Sequence, residues 1–525
     1  MICFQADPIE RKNMPAYQKT KAKAAVSQAS SPPSAPSGGL LQKWTRYLQE
    51  PIDGASLAIF RICFGLVMVA HVCENYAHIE RNYISPHFNF SFISGLHTLP
   101  GFGMYELFAV MGTAALCIAL GVWCRPAALV FCLGQTYLLL VEKSYYQNHY
   151  YLICLLSFLL ILIPSNRVWS IDNMAGKLPR CVPRWSLLIL KAQIFIVYFY
   201  GGVAKLNVDW LRGEPITTNM QAIPSQALFG FGQYLHQHWF SQLIMLGGIA
   251  VDFSIGFLLW CPATFWLGAA MAVAFHVLNS VLFPVGVFPW VMIATIGLFA
   301  APDWPRRIVQ AISANKLFKR NGAKKAAGER KAVSAKESDI DTIRTNEGLR
   351  WKTTAILVFA HLYLIAQILM PLRHWLYPGE VSWTEQGHRF SWQMMLRTKR
   401  VKAFDFIVIN PATQQLISIN IQRALNARQM EHMCKRPDMI LQFAHYIADR
   451  YQKEVGVRPI VKVRAIESLN YRQPQYLIDP NVDLAAQTES LMPAPWIVPL
   501  NPLIAGQKGI PESPLTAPVQ QPDQE

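Results

Sequence analysis

The sequence predicts a mainly α-helical membrane protein, with a polytopic bundle of about nine transmembrane helices followed by a small extracytoplasmic α+β domain. Hydrophobic residues make up 52% of the 525 residues and charged residues only 15%, whereas soluble chains carry about 25% charged residues. Apolar segments close to the ~20 residues that cross a bilayer core follow one another along the chain. The last part has a different pattern, typical of strands and an amphipathic helix.

Nine apolar segments are candidates for membrane-spanning helices. Three of them are short, which leaves the count open by one or two. In chain order the nine segments are residues 55–74, 104–122, 125–142, 149–165, 186–204, 241–260, 263–282, 287–301 and 353–371.

The segments divide the chain into six parts. The first part is predicted to be a disordered basic arm, because "SQASSPPSAPSGG" is rich in Ser, Pro and Gly and has little to bury. In order, the parts are this arm at 1–45, a transmembrane domain of about eight helices at 46–304, a basic cytoplasmic loop at 305–352, the last membrane helix at 353–371, the α+β domain at 372–492 and a Pro-rich tail at 493–525.

The α+β domain is predicted from three stretches. "VKAFDFIVINP" and "VRPIVKVRAIES" are β-branched and roughly alternating, as in strands. "KRPDMILQFAHYIADRYQKEV" repeats apolar residues at helical spacing.

The formal charge of +16 is concentrated in blocks between apolar segments. This pattern favours cationic cytoplasmic loops over a nucleic-acid partner. The positive-inside rule then places the N-terminus in the cytoplasm and the α+β domain on the opposite side, in the periplasm or its equivalent. Residues 1–40 are polar and lack the apolar core of a cleavable signal peptide, so we expect the first apolar segment to direct insertion.

Three polar clusters fall at similar depth on the predicted outer side. Ionisable groups are costly inside a membrane, so such groups indicate function by default. The clusters contain Lys205 at the end of the fifth segment, Glu142, Lys143, Asn148 and His149 between the third and fourth, and His276 with Asn279 at the end of the seventh.

Each cluster also has an ordinary structural explanation. Lys205 could be an interfacial lysine that extends its ammonium into water, and single histidines more often pack than catalyse. Asp252 could pair with a neighbouring helix. Arg61, deep in the first segment, needs a partner, which Asp53 or Asp252 could provide.

A lysine in a water-poor apolar pocket offers specific chemistry. Desolvation disfavours the charged ammonium, and a neutral lysine is a usable base near neutral pH. A lipid-borne acid such as a quinol would reach this base through the bilayer.

The ten cysteines are scattered along the chain without C-x-x-C or metal-like spacing, and no metal site is predicted.

Seven stretches, in order over about residues 45–490, carry a specific resemblance. In the membrane region they are "PIDGASLAIFRICFGLVMV", "NHYYLICLLSFLLI", "LKAQIFIVYFYGGVAKLNVDWLRGEPI", "FHVLNSVLFPVGVFPWVMIA" and "APDWPRRIV". In the α+β domain they are "RHWLYPGEVSWTEQGHRFSWQMML" and "SLNYRQPQYLIDPNVDLAA". Together they resemble the vitamin K-dependent gamma-carboxylase family, whose bacterial membrane region is called the HTTM domain.

The resemblance implies a lyase-type membrane enzyme that uses reduced vitamin K (phylloquinol or menaquinol), O2 and CO2. In the family, a lysine deprotonates the hydroquinone, and oxygenation to the epoxide drives removal of a γ-proton from a substrate glutamate, which then captures CO2. The implied partners are a glutamate-containing peptide or protein, a lipid quinone and the bilayer.

The resemblance also implies roles for individual residues. Lys205 in "GVAKLNVDW" matches the family's base, and His149 matches a histidine that assists the oxygenated intermediate. His276 and Asn279 match residues near the quinone pocket, and "FSWQMM", with Trp392, Met394 and Met395, matches a segment that lines it. The vertebrate enzyme has a second lysine where this chain has Ala204.

Two other functions remain open. One is a quinol epoxidase or oxygenase that does not carboxylate protein. The other is a non-catalytic protein or transporter that binds a lipid or quinone. The presence of both Lys205 and His149 argues against a non-catalytic protein. A transporter would be expected to have repeated broken helices near the midplane, whereas the polar groups here gather at one face.

Overall fold

The structure is a computed structural model that describes residues 39–221, 223–224, 232–283, 285–317, 350–470 and 472–501. Most of the predicted arm, basic loop and Pro-rich tail lies outside these residues. Helix α1, Leu40–Gln49, belongs to a compact unit of its own. Residues 40–45 were predicted to be disordered but are helical, because Leu41, Trp44 and Leu48 recur at helical spacing.

All nine predicted apolar segments are helices, which confirms a mainly α-helical multi-pass membrane protein. Seven helices are long and apolar enough to cross a membrane, and α5 and α12 are shorter. After α1, the helices up to residue 372 are α2 (Ala55–Tyr76), α3 (Gly103–Leu120), α4 (Cys124–Val141), α5 (Asn148–Leu162), α6 (Trp185–Ala204), α7 (Val208–Leu211), α8 (Ile216–Gln221), α9 (Gly232–Leu235), α10 (His238–Trp260), α11 (Phe265–Leu282), α12 (Phe288–Ile296), α13 (Trp304–Leu317) and α14 (Arg350–Leu372).

The membrane helices pack mainly on their neighbours in sequence. Helices α2 to α5 form one run, and α6, α10 and α11 form another, with α12 touching both α11 and α2. Small residues allow close approach: a Cβ atom at Gly65 of α2 would lie only 2.5 Å from the backbone nitrogen of Ala119 in α3. Strands β1 (Pro51–Asp53) and β2 (Cys181–Pro183) pair antiparallel beside α2 and α6.

Arg61 does not pair with either predicted carboxylate. Its guanidinium donates to the backbone carbonyls of Ile118 at 2.7 Å, Ala119 at 3.0 Å and Trp169 at 2.6 Å. Two of these carbonyls belong to the last turn of α3, where helical hydrogen bonds are missing and the dipole is negative. Asp53 instead pairs with Arg306.

The C-terminal domain is a small sheet covered by helices, which confirms the predicted α+β module. Its four strands are antiparallel in the order β4-β3-β5-β6, and α17 packs on β5. The elements are α15 (Val381–Thr384), β3 (Lys399–Ile409), β4 (Leu416–Ser418), α16 (Ala427–Cys434), α17 (Pro437–Val455), β5 (Ile460–Leu469) and β6 (Gln475–Tyr476).

Glu142 joins the bundle to the C-terminal domain. This fully buried carboxylate accepts hydrogen bonds from Asn89 Nδ2 at 3.2 Å, Phe90 N at 3.2 Å and Gln429 Nε2 at 2.7 Å. The next residue, Lys143, forms an ion pair with Asp438 at the start of α17. The two groups therefore fix the domain to the bundle and have a structural role.

Glu467 of β5 is a buried carboxyl in the C-terminal domain. Its exposed fraction is 0%, and within the described residues neither carboxylate oxygen has a hydrogen-bond partner. Burial raises its pKa to about 7, because the nearby Lys399 ammonium only partly offsets the desolvation. The folded state therefore binds a proton that the unfolded state releases at lower pH.

Replacing this carboxyl with an amide should stabilise the protein only at higher pH. Between the ordinary value of 4.5 and about 7, the folded state holds more protons than the unfolded state, so the stability of the wild type falls as pH rises through this window. In thermal unfolding of the full chain in detergent, Glu467→Gln should match the wild type near about pH 5 and exceed it near about pH 8.5, by about 3 kcal/mol.

The exposed Glu454 on α17 gives a matched control for this substitution. Glu454→Gln should change the melting temperature little at either pH. An equal effect of Glu467→Gln at both pH values would contradict the elevated pKa.

Candidate functional site

Lys205 lies immediately after α6 and is buried, with 6% of its surface exposed. Its ammonium forms an ion pair with Asp252 of α10 and donates to the carbonyl of Gly201 at 3.1 Å. The ring of Trp210 lies 5.2 Å from the same Nζ atom. Lys205 is therefore enclosed by a carboxylate, a carbonyl and an aromatic face.

This geometry rules out the interfacial explanation for Lys205, because a snorkelling lysine keeps its ammonium in water. It also corrects the expectation of a purely apolar pocket, since Asp252 provides a countercharge. A buried charge requires such a partner.

The two predicted histidines meet around one aromatic ring. Ring centroids of His149 and His276 lie 5.9 Å and 5.6 Å from that of Phe288 in α12. Nε2 of His276 is 2.7 Å from the hydroxyl of Tyr198 in α6. Helices α5, α11 and α12 thus bring the two histidines together, and His276 also contacts α6, the helix that precedes Lys205.

A segment of the C-terminal domain, residues 390–399, runs along this site and is called here the linking segment. Trp392 packs on Tyr151 of α5 with ring centroids 5.2 Å apart. The carbonyl of Gln393 accepts a hydrogen bond from Asn148 Nδ2 at 3.1 Å. The structure therefore places Trp392 against the helix that carries His149.

Met394 of the linking segment approaches Lys205. A Cβ atom at Gly201 would lie 3.2 Å from Cε of Met394 and 3.4 Å from Oδ2 of Asp252. The absence of a side chain at Gly201 therefore lets the linking segment and α10 meet beside the ion pair.

Backbone strain is concentrated in the linking segment. Phe390, Trp392 and Met395 have φ values of 63°, 55° and 59°, in the left-handed region that is unfavourable for bulky residues. Each such residue costs about 1 kcal/mol or more. Strain of this kind is retained where the surroundings hold it, and it is common at ligand sites.

Asn279 is the predicted site residue with the fewest polar contacts. It is half-buried on α11, one turn after His276, and across the described chain its side chain makes no hydrogen bond. Its position is compatible with the predicted role, which stays a prediction.

Two buried polar atoms of the site lack a partner among the residues that the structure describes. They are Nδ1 of His276 and Nε1 of Trp392. Buried polar atoms without partners are rare in proteins. Both atoms could form a hydrogen bond with an oxygen of a bound molecule.

A basic cavity of about 340 Å³ lies at the other end of the linking segment. Four cationic side chains line it, together with His432, whereas Glu385 is the one carboxylate in its wall. The cationic residues are Arg397, Lys399, Lys435 and Arg436, and the remaining lining residues are Met395, Leu396 and Thr398.

The pKa values in this region reflect the excess of positive charge. Burial opposes ionisation of Glu385, but Arg397 and Lys399 outweigh it and hold the pKa of this carboxyl below its usual value. Burial, reinforced by Arg397 and Arg436, holds the pKa of His388 well below 6.5. The same causes lower the pKa of His432. Both histidines are therefore neutral near neutral pH, and the cavity's charge comes from lysine and arginine.

The sequence did not identify several residues of the site. Asp252 was only expected to pair with some helix, and the contact of Tyr198 with His276 has no local signal. Except for Glu385, the cavity residues come from two stretches, 395–399 in the linking segment and 432–436 at and just after the end of α16, about 35 positions apart in sequence. Only the fold of the C-terminal domain brings them together.

Two family models match the chain. Residues 49–304 match the HTTM domain, and residues 352–502 match the lumenal domain of vitamin K-dependent gamma-carboxylase. Together these matches cover more than three quarters of the sequence. No solved structure matches the chain. The two matches, in this order along one chain, show that the protein belongs to the vitamin K-dependent gamma-carboxylase family.

Proposed function

We propose that this protein is a vitamin K-dependent gamma-glutamyl carboxylase, which couples oxygenation of reduced vitamin K to its epoxide with carboxylation of peptidyl glutamate. The observation that carries the proposal is the linking segment. It runs from a buried lysine–carboxylate pair to a cavity lined by four cationic side chains. One stretch of backbone thus contacts both the proposed base for a lipid-soluble acid and the proposed receptor for an acidic side chain.

The residues around the two histidines fit a quinol. Phe288, Tyr151 and Trp392 provide aromatic surface for a ring, and Nδ1 of His276 and Nε1 of Trp392 are free to meet ring oxygens. Reduced vitamin K, when bound, supplies the reducing equivalents for O2 and the strong base that removes the γ-proton. His276, Asn279, Trp392 and Met394 would hold it.

Lys205 would accept the proton of the quinol hydroxyl. For this step Asp252 would hold the proton that it shares with Lys205, so that the amine can take the quinol proton. Once the proton on Asp252 leaves to water, its carboxylate and the face of Trp210 would stabilise the ammonium. His149, packed against Phe288, is proposed to stabilise the oxygenated state.

The basic cavity would receive the glutamate side chain. A carboxylate fits a site in which Arg397, Lys399, Lys435 and Arg436 exceed the single charge of Glu385. The same positive potential favours bicarbonate and the carboxylate product. This cavity favours a carboxylase over an epoxidase that handles no acidic substrate.

We also propose an orientation of the protein in the membrane. The N-terminus lies in the cytoplasm and the C-terminal domain outside it, in a bacterial inner membrane. Blocks of lysine and arginine between apolar segments support this orientation.

The proposal is tested with purified protein in detergent, reduced vitamin K, O2, labelled bicarbonate and a short glutamate-containing peptide. Epoxide and fixed label are measured together. Both products would establish a carboxylase. Epoxide alone would leave a quinol epoxidase, and neither product from folded protein would favour a non-catalytic lipid- or quinone-binding protein.

Lys205→Arg separates loss of the base from loss of folding. An arginine preserves the ion pair with Asp252, but it cannot be deprotonated in a protein. We expect epoxide formation to fall below detection while the melting temperature stays near that of the wild type.

Lys191→Arg, on the preceding helix α6, is the matched control. Its ammonium lies over the ring of Phe299, so activity should persist. Wild-type turnover in Lys205→Arg would remove Lys205 as the base.

Reversing one charge of the basic cavity should weaken peptide binding. Lys435→Glu places a carboxylate beside the incoming carboxylate, and we expect the KM for the peptide to rise by about tenfold. Steady-state carboxylation at varied peptide concentration measures this change. The exposed Lys453→Glu on α17 should leave the KM unchanged, and equal effects of both variants would argue against the cavity as the receptor.

A further inference from the structure

The turn that carries Lys205 is held together by its own side chains. Asn207 donates from Nδ2 to the carbonyl of Ala204 at 2.8 Å and accepts from the backbone N–H of Trp210 at 2.9 Å. The indole Nε1 of Trp210 donates to the carbonyl of Met245 at 3.1 Å. Movement of α7 would therefore be transmitted to Lys205.

Asp209, on α7, is bound by the C-terminal domain. Its two carboxylate oxygens accept from Arg472, with Nη1–Oδ2 at 2.5 Å and Nη2–Oδ1 at 2.6 Å. Asn470 adds a hydrogen bond from Nδ2 to Oδ2 at 2.7 Å. The side chains of Arg472 and Asp209 are only 12% and 10% exposed, so this two-point ion pair is shielded from water.

Asn470 also holds the linking segment. Its backbone N–H donates to the carbonyl of Thr398 at 3.0 Å, and its Oδ1 accepts from the N–H of Thr398 at 2.8 Å. Its Nδ2 is 3.3 Å from the carbonyl of Leu396. Asn470 has a φ of 47°, a left-handed conformation that asparagine tolerates better than most residues.

We propose that Asp209, Asn470 and Arg472 form a latch, in which Asp209 is a positioning residue that sets the placement of Lys205 from the C-terminal domain. The inference rests on the proposed function only in taking Lys205 as the base. The membrane bundle alone does not complete the site, because two of the three latch residues belong to the C-terminal domain. The latch also touches Leu396 and Thr398, which line the basic cavity.

The charge of Asp209 is the part of the latch that a substitution can isolate. Asp209→Asn keeps the size of the side chain but leaves the Arg472 guanidinium without its countercharge in a shielded place. Asp209→Glu keeps the charge. The matched control is Asp405→Asn, which removes the same kind of pair with Arg464 from the exposed face of the sheet.

Two readouts test the latch on the full-length protein in detergent. The first is hydrogen–deuterium exchange of the backbone over residues 204–211. The second is kcat for epoxide formation and KM for the quinol. For Asp209→Asn we expect faster exchange in this stretch and a fall in kcat of up to about 100-fold with little change in KM, because misplacing a catalytic group affects the reacting geometry. Asp209→Glu should restore part of the exchange protection and part of kcat, and Asp405→Asn should match the wild type in both readouts.

The outcomes separate the latch from the proposed function. Wild-type exchange over residues 204–211 in Asp209→Asn would overturn the latch, even if the wild type is an active carboxylase. Faster exchange in a protein whose wild type makes no epoxide would support the latch and refute the function. If Asp209→Asn does not fold, Arg472→Lys keeps a positive charge but loses the two-point geometry, and unchanged exchange in that variant would equally overturn the latch.

Discussion

A charged group inside an apolar bundle must have a partner, and this constraint organises the protein. Lys205 is paired with Asp252, Arg61 with the carbonyls at the end of α3, and Asp209 with Arg472. Each partner comes from a different element, so each charge ties two elements together. Leaving one member unpaired in such surroundings costs several kcal/mol. The need to satisfy a few charges therefore determines how helices and domain meet.

The same constraint bears on the proposed base. Asp252 makes burial of Lys205 possible, because its carboxylate supplies the countercharge that a buried ammonium requires. The basic cavity has the opposite balance, with cations in excess of its single carboxylate. In the proposed function one site accepts a proton and the other binds an anion, and the linking segment joins them.

The C-terminal domain is part of the candidate active site. It contributes Trp392 and Met394 to the surroundings of Lys205 and His149, and all the cationic residues of the cavity. Glu142 and Lys143 hold it against the bundle through Gln429 and Asp438. A domain that is fixed at several points can impose strained backbone conformations that an isolated loop would relax.

The sequence by itself determined the membrane helices, the strands β3 and β5 and helix α17, because hydrophobic periodicity and segment length are local properties. Its motifs also identified Lys205, His149 and His276 as candidates. Only the tertiary structure decided that Asp252 faces Lys205, that Arg61 caps a helix, and that the cationic residues of two distant segments share one cavity. These pairings depend on which faces of separate elements pack together, and the composition of a single segment does not contain that information.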